Sequence, residues 1–367
     1  MKKINKEIRS TKSINVGISI GDINGIGPEV IMKSLSDPRL FFDFTPIIYG
    51  SSKVFSYYKK TISTKDFFLN SCNSVDDIKS RKVNIINIWN DEIKFDIGKP
   101  TVESGRLAFK SLEVATRDLA KGKIDVLVTS PISKDAMNQS GFKFPGHTEY
   151  LADMSGQEDA LMLMVASDLR VGLVSSHIPL KDVSKNLTVE KIHYKIKSFA
   201  KTLTSDFGIL RPKIAVLGLN PHSGESGKIG LEELDTIIPS IEKAKEDGII
   251  AMGPFPADGF FGSNIWKNYD GILAMYHDQG LAPFKALSFH EGINFTAGLP
   301  IVRTSPDHGT AYDIVGQDKA SGTSMRNAIY TAIDVYRNRQ VNKEIKSNPL
   351  QNQKTLVDKK NKKGNNK

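Results

Sequence analysis

The chain has 367 residues, 39% hydrophobic and 25% charged, a balance that fits a folded protein with room for two packed lobes and excludes a disordered or fibrous chain. Its formal net charge of +9 is unevenly spread: residues 1–13 carry +4 and residues 341–367 carry +6, leaving 14–340 at −1. A nucleic-acid binder would show its basic stripe on the folded body, so nucleic acid is not an expected partner, and the two basic ends read as solvated, disordered segments.

The first element is a short apolar strand, Ile14–Ile20, which stops at Gly21. After a glycine-rich loop, Pro28 and Glu29 open a helix, where proline suits the first turn and an acid suits the positive end of the helix dipole. Thr45–Tyr49 and Val83–Ile88 are further strands. From Glu103, Ala108, Leu112, Ala115 and Leu119 keep helical spacing, and Gly122 marks the end. Ile124–Thr129, Val171–Ser175, Ile214–Leu219 and Gly271–Tyr276 are apolar runs of strand length. Between the last two, Gly230–Asp247 reads as a helix interrupted or kinked at Pro239. This alternation predicts an α/β protein with a largely parallel sheet.

In such a sheet, ligands gather beyond the carboxyl ends of strands. His177, His222 and His277 each follow an apolar run within a few residues. Any one of them alone is more often a hydrogen-bonded loop residue than a ligand. Together, three imidazoles from three strand ends suit a divalent transition metal with positions left open for substrate. His147 and Thr148 stand in an exposed loop that opens a helix, where Thr148 also serves as an N-cap candidate. Lys285, Asn294 and Arg303 fall in a glycine-rich polar section, and such cations, if they converge, suit a phosphate or carboxylate.

The absences narrow the field. Gly21–Gly27 departs from GxGxxG, Ser226–Ile229 is no Walker loop, and no GxSxG elbow occurs. No apolar run approaches the roughly 18–20 residues of a membrane span, and the basic N-terminus lacks the apolar segment of a secretory signal. The single cysteine, Cys72, rules out an internal disulfide framework and points to a reducing, cytoplasmic setting.

Seven stretches then carry a resemblance: GDINGIGPE (21–29), TSPISK (129–134), GHTEYLA (146–152), LNPHSGE (219–225), GPFPADGFF (253–261), AMYHDQGLAPFK (274–285) and GLPIVRTSPDHGTAYDIVG (298–316). In this order and over 14–335, the chain resembles the 4-hydroxythreonine-4-phosphate dehydrogenase family of pyridoxal-phosphate biosynthesis. Ile23-Asn24 stands where that family's pattern has Pro-Ala, and the tail after 340 matches nothing in the pattern. The resemblance implies a two-lobed α/β/α fold of the isocitrate and isopropylmalate dehydrogenase type, with the active site in the interlobe cleft. Residues 14–140 plus 300–340 would form one lobe and 141–299 the other, the latter bearing the metal histidines and the contacts of a homodimer.

It implies His177, His222 and His277 as ligands of one divalent metal (zinc, cobalt or magnesium). His147, Thr148, Lys285, Asn294 and Arg303 would contact a small phosphorylated amino-acid substrate. Lys285 would carry a proton, helped by a cleft and a cation that favour its neutral form. Asp258 would act near the metal. His308, Gly309, Thr310 and Asp313 would bind NAD, or NADP, through a loop that replaces GxGxxG. The implied reaction oxidises 4-phosphohydroxy-L-threonine to a β-keto acid that loses CO2. Two rivals remain at this point: a sister dehydrogenase acting on threonate or erythronate 4-phosphate, and a three-histidine metal-dependent hydrolase.

Overall fold

In the structure, a computed structural model, residues 13–63, 67–89, 92–157 and 160–347 are described; the expectation of disorder for residues 1–12 and 348–367 lies outside them. Twelve strands form one sheet: β1 (Ile14–Ser19), β2 (Phe44–Gly50), β3 (Asn70–Cys72), β4 (Asn84–Asn87), β5 (Val126–Thr129), β6 (Leu161–Ala166), β7 (Leu169–Leu173), β8 (Lys213–Leu217), β9 (Ile250–Phe255), β10 (Gly271–Ala274), β11 (Ile293–Ala297) and β12 (Arg303–Pro306). Their order across the sheet is β3-β4-β2-β1-β5-β12-β11-β6-β7-β10-β8-β9.

The expected α/β class holds, with a mixed sheet. Six strands from β3 to β12 run parallel, and so do the four from β7 to β9. Between these blocks, β12–β11, β11–β6 and β6–β7 are antiparallel. Three reversals leave the two blocks pointing in opposite directions. The carboxyl ends of β1, β5 and β12 therefore do not share an edge with those of β7, β10 and β8, as a wholly parallel sheet would require.

Helices cover both faces, which explains why the strands are apolar on both sides. Ile47, Tyr49 and Leu127 pack with Leu112, Ala115 and Leu119 of helix Val102–Ala120. Residues of the opposite face, including Val16, Ile18 and Val128, join a cluster with Met325, Ile329 and Ile333 of helix Thr323–Ser347. The expected interruption at Pro239 appears as a π-helical turn, Glu233–Ile237, followed by helix Ile238–Glu246 with the proline in its first turn.

The C-terminal boundary needs correction. Residues 341–347, expected to be part of a disordered tail, continue helix Thr323–Ser347. Asn342 explains why: its amide donates to the carbonyls of Ser205 (2.9 Å) and Asn338 (3.0 Å), satisfying the exposed end of helix Val189–Ser205. Truncation after Ser347 is therefore expected to leave the melting temperature unchanged. Truncation before Val341 should cost about 1 kcal/mol for the lost carbonyl partners. Thermal melts of the two shortened chains check this.

Candidate active site

Strand periodicity builds the floor of the site. Arg303 pairs with Leu127 of β5, and Asn294 and Phe295 of β11 stand opposite Ser305 and Thr304 of β12. Alternation then puts Thr129, Arg303, Ser305, Asn294 and Thr296 on one face of three neighbouring strands. Thr304 points to the other face, where its hydroxyl donates to the Ala328 carbonyl of the C-terminal helix (2.7 Å). A patch of polar residues thus lies inside an otherwise apolar sheet.

Arg303 is 3% exposed. Its Nε and Nη2 donate to the Thr129 hydroxyl (3.1 and 2.6 Å), and Nη1 donates to Thr296 (3.1 Å). Among the described residues no carboxylate forms a salt bridge with it. Burial pushes its pKa down to about 10, and the field of Glu149 opposes that shift. A cavity of about 170 Å³ opens beside the guanidinium, lined by Thr129, Ser130, His147, Arg303, Ser305 and His308 and closed by Pro131, Ile132, Pro306 and Gly309. Ser130 Oγ, His147 Nε2, His308 Nε2 and Asn294 Oδ1 are buried without a protein partner. A buried cation among unpaired polar atoms suits an anionic ligand that brings its own hydrogen-bond acceptors and donors. A larger groove of about 670 Å³, lined by Arg170, Asp206, Phe207 and the outer face of the C-terminal helix, includes none of the expected site residues.

His147 is the first residue of helix His147–Met154; Gly146 is its N-cap and no side chain caps it, so Thr148 is not the N-cap that the sequence suggested. Burial, then the positive charges of Arg303 and Lys134, hold His147 well below its usual pKa. The imidazole is thus neutral in the folded chain and protonated below about 6.5 when unfolded. Because the unfolded state takes up the proton first, stability is lost as pH falls below that value, by up to about 1.4 kcal/mol per unit. His147→Gln should flatten that part of the pH-melting profile.

Helix His277–Ser288 connects β10 to β11. Lys285 lies eight residues after His277, roughly 12 Å further along the axis. Its ammonium stands 3.6 Å from Asp307 at the end of β12, and its side chain is 42% exposed. Asp307, which the sequence reading passed over, is raised by burial, with Lys285 and His277 opposing the shift.

His177, His277 and His222 follow β7, β10 and β8, three adjacent parallel strands. The rings of His177 and His277 lie 6.1 Å apart. His277 Nδ1 meets Asp278 Oδ1 at 2.7 Å and His177 Nδ1 stands 3.8 Å from Glu149 Oε1. Both carboxylates face Nδ1, which leaves Nε2 for a cation, the usual arrangement around a metal-binding histidine. This donor set fits a divalent metal. His222 is not gathered with the pair in the single chain, and among the described residues no three His, Cys, Asp or Glu side chains stand close enough to hold an ion. Asp258 is exposed in helix Ala257–Gly262 after the edge strand β9, and no contact with the histidines is seen.

The loop at 308–314 docks on the first glycine loop. Ile26 N–H donates to the Thr310 carbonyl (2.9 Å), and a Cβ on Gly25 would stand 2.9 Å from that oxygen. Asp22, fully buried, accepts from Tyr312 (2.8 Å), Ser104 (3.0 Å) and the Asn24 N–H (2.8 Å). Gly309 and Asp313 remain exposed in this loop, and His308 Nδ1 lies 3.1 Å from the Gly309 carbonyl.

The sequence matches, over residues 43–332, the family described as pyridoxal phosphate biosynthetic protein PdxA. The chain belongs to the PdxA family. A 4-hydroxythreonine-4-phosphate dehydrogenase of Bacteroides thetaiotaomicron is 49% identical over 341 residues, covering 93% of each chain. Its counterpart in Aquifex aeolicus is 42% identical, covering 86% of this chain and 96% of the other. The crystal structure of the Klebsiella pneumoniae 4-hydroxythreonine-4-phosphate dehydrogenase superposes with a TM-score of 0.77 at 32% identity, covering 89% of this chain and 99% of that one. As a PdxA chain, this protein keeps its family's matched region across the floor strands β5, β11 and β12 and all three candidate histidines.

Proposed function

We propose that this chain is a 4-hydroxythreonine-4-phosphate dehydrogenase. It would oxidise 4-phosphohydroxy-L-threonine with NAD to 2-amino-3-oxo-4-phosphooxybutanoate, which decarboxylates to 3-amino-2-oxopropyl phosphate. The observation that carries the reading is the buried Arg303, without a salt-bridged carboxylate among the described residues, beside a polar cavity, in a family whose relatives bear that enzyme's name. A substrate with both a phosphate and a carboxylate supplies the anion such a guanidinium lacks.

In this reading Arg303, His147, Thr148 and Asn294 hold the substrate. Lys285 would take the C3 hydroxyl proton, and NAD, when bound, would supply the acceptor for the hydride on C3. The C1–C2 bond of the keto acid then breaks, its electron pair moving to the C3 carbonyl as CO2 departs. A proton returned to C2 completes the product. Lys285, held by Asp307, can supply it. A divalent metal held by His177, His277 and His222 would polarise the C3 oxygen. NAD, or NADP, would lie along the 308–313 loop, with Asp258 closing the metal side.

The two sheet blocks would be lobes of the isocitrate dehydrogenase type, with the site in the cleft between them. The three strand reversals at their junction support this. A homodimer is part of the same reading. Exposed Leu180, Leu231 and Leu234 lie on segments joined by the Ser184–Glu232 hydrogen bond, and they offer apolar surface for it. Among the described residues no helix is long and apolar enough to cross a membrane, in keeping with a cytoplasmic enzyme.

The test is NADH and CO2 release from 4-phosphohydroxy-L-threonine before and after chelation. Equal yields of the two products, lost with the metal and restored by it, are expected; a metal-independent hydrolysis without NADH would overturn the reading. In the same assay Lys285→Ala should lower kcat by roughly 100-fold or more with a smaller change in KM.

A further inference from the structure

We propose that Glu233 is the positioning residue for His222: its buried carboxylate clamps the strained turn that carries this imidazole and so sets how the histidine meets a divalent cation. The inference rests on the proposed role of His222 and deepens it.

Residues His222, Ser223, Gly224, Glu225 and Ser226 have φ of 53°, 50°, 77°, 43° and 58°. Non-glycine residues enter the left-handed region singly, because Cβ crowds the following carbonyl; four of them around one glycine form a turn that resists its own backbone preference. Such a turn persists only where its surroundings over-determine it, and turns of this kind cluster at functional sites.

The clamp is visible in the hydrogen bonds. Glu233 is 1% exposed. Its Oε1 accepts from the backbone N–H groups of Leu219 and Asn220 (both 2.7 Å), and its Oε2 accepts from the Asn220 side-chain amide (2.9 Å). These residues stand just before Pro221, which leads into the left-handed run. At its centre, a Cβ on Gly224 would stand 2.6 Å from Glu233 Oε2, so the carboxylate lies against the turn itself. On the other side Ser223 Oγ donates to the Pro254 carbonyl (3.3 Å).

The base of the turn is also tied to the second histidine. Gln279, two residues after His277, donates to the Gly218 carbonyl (2.6 Å) and accepts from the Met275 N–H (2.8 Å). The exit of β8 and the start of the His277 helix are thereby held in register. The contacts of the Glu233 carboxylate are with the base and centre of the turn itself, so what it can set is the aim of the turn. Outer partners of metal ligands act in this way, fixing the orientation of the group that binds.

The experiment loads the metal-free full chain with Co2+ and follows affinity and the visible d–d spectrum for the parent, Glu233→Gln, Glu233→Ala and His222→Ala, with far-UV circular dichroism on each. Glu233→Ala is expected to weaken Co2+ binding roughly 10- to 100-fold and to change the spectrum. Glu233→Gln keeps the side chain's size and one acceptor but turns an N–H2 group towards the Asn220 amide, so it should fold and lose about 3- to 10-fold. His222→Ala reports on the underlying role. If it binds Co2+ like the parent, the assignment of His222 fails and this inference falls with it. If His222→Ala loses affinity while folded Glu233→Gln and Glu233→Ala keep the parent's affinity and spectrum, the clamp is overturned and the role of His222 stands. Should Glu233→Ala not fold, the glutamine variant decides alone, and parent-like affinity and spectrum overturn the clamp.

Discussion

Replacing Arg303 with methionine is expected to lower kcat/KM for the phosphorylated substrate by about 30- to 1000-fold, chiefly through KM, while leaving the fold intact. One lost charge-assisted contact to a phosphate or carboxylate is worth on the order of 2–4 kcal/mol. The fold has little reason to need this guanidinium. It is 3% exposed, bonded only to threonine hydroxyls, and burial pulls its pKa down to about 10. A buried charge without a counter-charge is a burden that an apolar side chain of similar length removes, so the melting temperature should hold or rise. Steady-state kinetics and melts of Arg303→Met separate the outcomes. Parent-like kinetics would remove Arg303 from the site, and a collapsed melt would make it a structural residue.

The second large effect concerns the histidine pair. His277→Ala should weaken divalent-metal binding by more than about 100-fold and abolish most turnover, whereas Asp278→Ala, which removes only the partner of Nδ1, should cost about 10-fold. This grading follows from geometry: the His277 and His177 rings face each other 6.1 Å apart, and Asp278 holds His277 Nδ1 at 2.7 Å. Metal content of the purified variants, together with Co2+ titration, measures it. Full occupancy and turnover in His277→Ala would contradict the assignment.

How far the sequence is legible depends on the residue. Strands β1, β2, β5, β8 and β10 announce themselves because helices bury both their faces, and apolar runs record that burial. Strand β12 reads Arg-Thr-Ser-Pro and is buried throughout, yet it carries no apolar signal, because one of its faces is the floor of the polar cavity. Nothing local distinguishes such a strand from a loop, and its antiparallel partner β11 is missed with it. The largely parallel sheet is as expected; what the sequence hides is the set of three antiparallel pairs made by β11 and β6. His177, His222 and His277 are legible as residues that follow apolar runs. Whether their rings meet is set by loop conformation, and the left-handed turn at His222 has no sequence signature beyond Gly224. Nothing local in the sequence marks Asp22 or Asp307 as a site residue. Their roles emerge only from partners far along the chain, Tyr312 for the first and Lys285 for the second.

In the proposed function the Arg303 cavity serves oxidation of an amino-acid phosphate. The rival chemistry is oxidation of threonate 4-phosphate, which lacks the amino group. The most direct measurement is NADH formation by the metal-loaded full chain with 4-phosphohydroxy-L-threonine and, in parallel, with D-threonate 4-phosphate. The account predicts a kcat/KM at least about 100-fold higher for the amino substrate, the scale of discrimination set by one polar group. A preference for the threonate, or no NADH from either compound, would contradict it.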